Sequence, residues 1–228
     1  MENVKVIRSI SLWIFIIPFI AVNSCLLIVT QFHHILQPGV PIFPTFPYID
    51  GGVSISRTVR NFPMYLIFKP AMFVTAFLLI KYWLNTKKII YHFNLETKYL
   101  KKIIFFGIGS AVMLVIHSIF LGVKFEYDLY KLFRRIVMLS FIIFELIAQY
   151  YLIKTLYQVK EKIKDKINQK FLKIKKFLIN TLITVSIIVL PFLPFDNFKF
   201  LKHALEWNVF LGVIFFYLLT NLMWKKTN

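Results

Sequence analysis

The chain has 228 residues, 58% of them hydrophobic, and a formal net charge of +18. Soluble domains carry about 45–50% apolar residues, and a water-soluble fold of this length cannot bury the excess in one core. The bilayer is therefore part of its solvent, and the basic residues fall between apolar runs rather than on one face, which argues against a nucleic-acid partner.

Six runs of about 18 or more apolar residues predict an all-α integral membrane protein with six transmembrane helices. They cover about residues 10–30, 63–83, 103–123, 136–153, 177–195 and 205–224, so that 1–228 reads as one six-helix transmembrane domain. The first run is longer than a signal-peptide core and lacks an Ala-x-Ala exit, so it reads as an anchor. It contains the single cysteine, Cys25, which reads as a small hydrophobe and allows no intramolecular disulfide.

The loop at 31–62 follows. It holds Pro38, Pro41, Pro44 and Pro47, whose three-residue spacing favours extended backbone. Asp50-Gly51-Gly52 then supplies a turn, because glycine accepts positive φ. "VSIS" is expected to form a short extended piece. Phe43, Phe46, Tyr48, Ile49, Val53 and Ile55 predict that this ordered loop caps the outer mouth of the bundle, with Asp50 brought toward the helix ends and paired with Arg57, Arg60, an arginine at the head of the fourth run or a headgroup.

The second run carries Lys69, about 9 Å from its outer end at 1.5 Å per residue. The third carries the small-residue stripe "GIGSA" at 107–111, expected to serve helix packing, and then His117. Arg134 and Arg135 head the fourth. Within that run Glu145 and Gln149 share a face, and their expected partner is Asn180 or another interior polar group, as a structural clamp or a proton relay. "KEKIKDKINQKFLKIKK" then reads as a basic amphipathic turn on the inner side, attracted to anionic lipid. The last run opens with Glu206-Trp207-Asn208.

Lysine bias sets orientation. Lys5 and Arg8, the group Lys87 to Lys102, the group Lys160 to Lys176, and Lys225 and Lys226 fall on one side, which places both termini in the cytoplasm and loop 31–62 in the lumen or exterior. Asp50, Lys69, His117, Arg134, Arg135 and Glu206 then all lie in the outer half. Bases suit a phosphate and carboxylates suit sugar hydroxyls or proton transfer, so these six are the headgroup-binding candidates. Glu206 paired with Arg134 or Arg135 between helices is the structural alternative. No metal is expected, since the chain has no HExxH and no paired cysteines, and no cofactor is implied.

The "PYIDGG" loop, the final "HALEWNVFLGVIFFYLLTNLMW" and the "LFRRIVMLS" entry to the fourth run resemble the DRAM/Frag/Sfk family of six-span membrane proteins, which includes GPI-lipid-remodelling relatives and the Cwh-type N-terminal domain. The family's loop has a serine before the aspartate where this chain has Ile49. The resemblance implies six spans, membrane lipid as partner, and a role in GPI-anchor or sphingolipid remodelling or in lipid distribution, without an established catalytic mechanism. A small transporter or channel, or an intramembrane lipid acyltransferase or hydrolase, are the alternatives. Lys225 and Lys226 resemble a dilysine retrieval signal, which in a eukaryote implies the endoplasmic reticulum or Golgi; the plasma membrane is the other expectation.

Overall fold

A computed structural model describes residues 2–32, 45–93, 97–123, 127–189, 191 and 196–225. They form helices α1 (Glu2–Gln31), α2 (Ile55–Val59), α3 (Met64–His92), α4 (Leu100–Phe120), α5 (Asp128–Gln158), α6 (Lys160–Ile163), α7 (Gln169–Val189) and α8 (Lys199–Met223), the last entered through a 3-10 turn at Asp196–Phe198. Among the described residues there is no strand, only an isolated antiparallel bridge between Ile167 and Trp224.

Five helices, α1, α3, α4, α5 and α8, are long and apolar enough to cross a membrane. Their outward faces confirm which solvent they expect. Trp13, Ile20 and Leu27 on α1, Phe105, Val112 and Ile119 on α4, and Ile136, Ile143 and Tyr150 on α5 are all exposed at seven-residue spacing. Continuous apolar stripes of this kind suit hydrocarbon, not water. By length and composition the chain is a multi-pass integral membrane protein.

The helix at the expected fifth run, α7, begins at Gln169 rather than 177 and is described to Val189. Lys170, Lys173, Lys175 and Lys176 occupy its first two turns, which keeps it out of the apolar five. The expected end of that run, at 195, lies outside the described residues, as do Phe43 and Lys226. The other helices overrun the apolar runs by up to nine residues, because lysines can extend a helix into the interface while their stems stay on apolar surface.

The six long helices form a closed ring. α1 packs on α3, α3 on α4, α4 on α5, α5 on α7, α7 on α8, and α8 returns to α1. A reciprocal pair closes it: Arg8 Nε donates to Asn221 O at 3.2 Å and Asn221 Nδ2 donates to Arg8 O at 2.8 Å. Small residues let helices approach. A Cβ on Gly107 would lie 2.4 Å from the Trp83 ring, and one on Gly212 2.6 Å from Leu182. At the end of the bundle that holds the basic turn, its alternating apolar residues Ile163, Ile167 and Leu172 are buried. Asn168 N donates to Met223 O at 2.7 Å and Lys225 N to Lys166 O at 2.9 Å, fixing that turn to the end of α8.

Candidate functional site

The loop before α3 lies on the N-terminal end of α8. Gly51 O meets His203 Nδ1 at 2.9 Å, Trp207 Nε1 donates to Val53 O at 2.8 Å, and Asn208 Nδ2 donates to Tyr48 O at 2.7 Å. Tyr48 also donates to Asn23 of α1 at 3.1 Å. Gly51 has φ 63°, and a Cβ there would fall 1.8 Å from Phe200 O. Val53, Thr58 and Val59 are buried beneath the loop, whereas Phe46 and Ile49 point outward, 59% and 80% exposed.

Two local expectations fail. "VSIS" does not extend; Ser54 caps α2, its Oγ accepting from Arg57 N at 3.2 Å, because the hydroxyl satisfies a helix N–H that would otherwise lack a partner. Asp50 reaches neither arginine nor helix end. Its carboxylate accepts from Thr45 Oγ1 at 2.6 Å, Phe46 N at 2.8 Å and Gly52 N at 2.8 Å. The Thr45 hydroxyl, then the Gly52 N–H, hold this exposed carboxyl below the usual carboxylate value. Asp50 knots the loop.

Beneath the loop, two predicted residues converge on Ser56. Its N–H donates to Glu206 Oε1 at 3.4 Å, and its hydroxyl accepts from Arg134 Nη2 at 3.4 Å. Glu206 and Arg134 do not form an ion pair; Ser56 stands between them. Arg134 Nε is buried and has no hydrogen-bond partner. Arg60, at the end of α2, is held below the usual arginine value first by burial, then by the charges of Arg134 and Arg57. Arg60 thus feels the charges of both Arg134 and Arg57. His117 lies within electrostatic range of Arg134 but is bonded to neither Asp50 nor Glu206.

The other two predicted residues stand apart. Lys69 Nζ donates to Ile119 O at 3.3 Å and lies 5.7 Å from the Tyr65 ring centroid, tied to the end of α4. Arg135 is exposed, about 100° round α5 from Arg134. The sequence pointed Asp50 to Arg57, Arg60, an arginine at the head of the fourth run or a headgroup, and did not single out Ser56 or His203. The capping serine three residues before Arg57 was the available signal.

A second polar constellation fills the middle of the ring. Glu145 is fully buried. Oε1 accepts from Tyr217 OH and from Gln149 Nε2 at 2.9 Å; Oε2 lies 2.6 Å from Ser110 Oγ. Gln149 Nε2 also donates to Val213 O at 3.3 Å. Ser110 Oγ lies 2.8 Å from Gly107 O as well. It has one proton for two acceptors. When that proton goes to Gly107 O, the Glu145 carboxyl must be the donor to Ser110; when it goes to Glu145, the carboxylate is satisfied as an anion.

Tyr82 and Tyr217 pack edge to face, 4.8 Å between centroids, and lead to a buried lysine. Lys175 Nζ donates to Thr220 Oγ1 at 2.6 Å and sits 3.7 Å above the Phe216 ring. Tyr82 OH lies 3.4 Å from the same threonine hydroxyl. Lys175 is therefore no solvated lysine of the basic turn, and Asn180, the expected partner of Glu145, is exposed. The face of α8 that carries Phe216 and Thr220 one turn apart draws Lys175 inward through a hydroxyl acceptor and an aromatic ring.

Among the described residues no three His, Cys, Asp or Glu side chains converge as a metal site would require. No family model, no curated protein and no solved structure matches the chain.

Proposed function

We propose that the protein is a six-span membrane protein, α7 being the sixth span and both termini cytoplasmic, that binds an anionic lipid headgroup at its outer mouth. The observation that carries this reading is Arg134: its Nε is buried without a partner, within electrostatic range of Arg60, which also feels Arg57, and without a carboxylate in ion-pair contact. Guanidinium groups within range repel one another, and a phosphate would relieve the repulsion while accepting the orphan N–H. The α2 cap supplies two of the three arginines, which gives the ordered loop a purpose. The resemblance to the DRAM/Frag/Sfk family points to the same chemistry and to GPI-anchor or sphingolipid remodelling or lipid distribution as its use, in an endomembrane or plasma membrane.

The test is native mass spectrometry of the protein released from bilayers of defined phospholipid. Arg134→Gln is expected to lower retained phospholipid about tenfold or more, the equivalent of the ~1.5–3 kcal/mol of a charge-assisted hydrogen bond. Arg135→Gln should leave retention unchanged. Equal retention by both variants and wild type would remove the reading.

A small transporter is the second reading, and the buried chain Glu145–Tyr217 with Tyr82–Thr220–Lys175 favours it, because it supplies polar groups in the inner half of the bundle. Proton or ion flux in proteoliposomes that Glu145→Gln abolishes would support it; absence of flux in wild type would dispose of it.

A further inference from the structure

A groove of about 770 Å³ runs between α1 and α3 at the end of the bundle opposite the cap. Its lining is mixed. Leu78 is its deepest residue on α3, and Ile10 and Val6 are its apolar residues on α1. Lys81, Asn85, Lys87 and Lys88 line it from one turn beyond Leu78 toward the end of α3, with Leu84 among them and Ser9 across on α1, and none of the lining residues is acidic. Lys81, Asn85 and Lys88 follow one another at four- and three-residue spacing, so they form one stripe on α3.

The lysines have no anion of their own. Among the described residues no carboxylate lies in ion-pair contact with any of the three, and all three are exposed. Lys81 Nζ rests 4.5 Å from the Phe77 ring centroid, one turn deeper toward the middle of α3, instead of reaching outward to water. Asn85 Nδ2 donates to Lys81 O at 2.7 Å, which leaves its Oδ1 as an acceptor beside the lysines. A groove that sets apolar side chains beside three unpaired ammonium groups, on the lipid-facing side of two apolar helices, matches an amphiphile with an anionic head.

We infer that this groove binds one anionic glycerophospholipid of the leaflet on the side of the N-terminus, its phosphate on Lys81, Lys87 and Lys88 and an acyl chain along Ile10 and Leu78. The site is separate from the outer mouth and does not rest on the headgroup reading given there.

Tryptophan fluorescence can read the groove directly. Trp13 is 50% exposed, one turn above Ser9 and Ile10 on α1, whereas Trp83, Trp207 and Trp224 are buried. The full chain is reconstituted in phosphatidylcholine with brominated phosphatidylglycerol, and separately with brominated phosphatidylcholine. Wild type is expected to show preferential quenching by the anionic lipid, roughly fivefold for each lysine engaged, the ratio that ~1 kcal/mol represents. Trp13→Phe should remove that quenching, which assigns it to the groove. Lys81→Gln with Lys88→Gln should bring the preference close to unity, and Lys81→Arg should keep it. Lys98→Gln with Lys162→Gln, on another face, should leave it as in wild type. A preference that survives the Lys81 and Lys88 changes means diffuse attraction and overturns the site. Loss of the preference in excess inorganic phosphate means a free-phosphate site and overturns the lipid. Absence of quenching by either lipid means that a second copy of the chain covers the groove, which overturns it too.

Discussion

Replacing Gly51 with alanine should release the cap from the bundle. With φ at 63° the residue sits in the left-handed region, where a Cβ costs about 1–2 kcal/mol. The added Cβ would also fall 1.8 Å from Phe200 O and 2.6 Å from its carbonyl carbon. Backbone cannot rotate away as a side-chain tip can, so the loop must lift from α8. Lifting stretches the bonds from His203, Trp207 and Asn208 to the carbonyls of Gly51, Val53 and Tyr48. At a net 0.5–1.5 kcal/mol each, their loss adds about 3 kcal/mol, for a total on the order of 3–5 kcal/mol, limited by the docking energy of the cap itself. Hydrogen exchange at Val53–Val59 reads the lift without requiring global unfolding. Gly51→Ala should exchange there about a hundredfold faster or more, while amides in the middle of α3 and α8 keep their protection. Gly52→Ala is the comparison, because its Cβ would meet the Thr45 hydroxyl at 2.3 Å, a group that can turn aside at the cost of its bond to Asp50. Wild-type exchange in Gly51→Ala would refute the reasoning, since neither the positive φ nor the contact with Phe200 could then be binding constraints.

Glu145→Gln should change thermal stability by less than about 1 kcal/mol, because the amide keeps an acceptor for Tyr217 and offers Ser110 a donor; Glu145→Leu should cost about 1–3 kcal/mol by stranding the Tyr217 hydroxyl, and equal melting of the two would contradict that assignment. Lys175→Met should be neutral or stabilising in a detergent melt, since Thr220 still donates to Phe216 O at 3.0 Å and the cost of burying the amine is removed; a large loss would mean that the amine holds α7 in place. The Asp50 carboxyl is lowered in the folded loop, so its contribution is present above the ordinary value of 3.8 and lost as pH falls below it through the folded value. Exchange at Val53–Val59 should therefore accelerate in that acid range in wild type. Asp50→Asn should show faster exchange already at neutral pH and no acid step; the same acid step in both would assign it to another group.

The cap was readable because its glycines and prolines punctuate the chain so strongly, yet the partner of Asp50 was misjudged. An aspartate in a turn finds N–H donors two residues after it and four before it, and those bonds form without closing a long loop, so a distant arginine cannot compete. Glu145 and Gln149 were legible as one face because their spacing of four is local. Their partners were not: Ser110 reads as part of a packing stripe and Tyr217 as apolar in a greasy run, and only the ring of helices brings their hydroxyls to Glu145. Lys175 shows the limit of lysine counting. The count assigns a lysine to a side of the membrane, whereas its depth depends on which residues of α8 stand opposite.

The closed ring has a consequence in time. The face of α1 that packs on α8 must wait for the last helix, since the residues of the clasp, Arg8 and Asn221, are 213 positions apart. At about 5–20 residues per second, the stretch from the end of α1 to the start of α8 takes roughly 10–30 s to synthesise. During that interval the main chain and side chain of Arg8 lack their partners on α8, and the chain exists as an open arc with two unmated edges. Completion of the barrel-like assembly is therefore a late and all-or-none event, and a truncation that removes only α8 would leave every earlier helix inserted but the arc unable to shut.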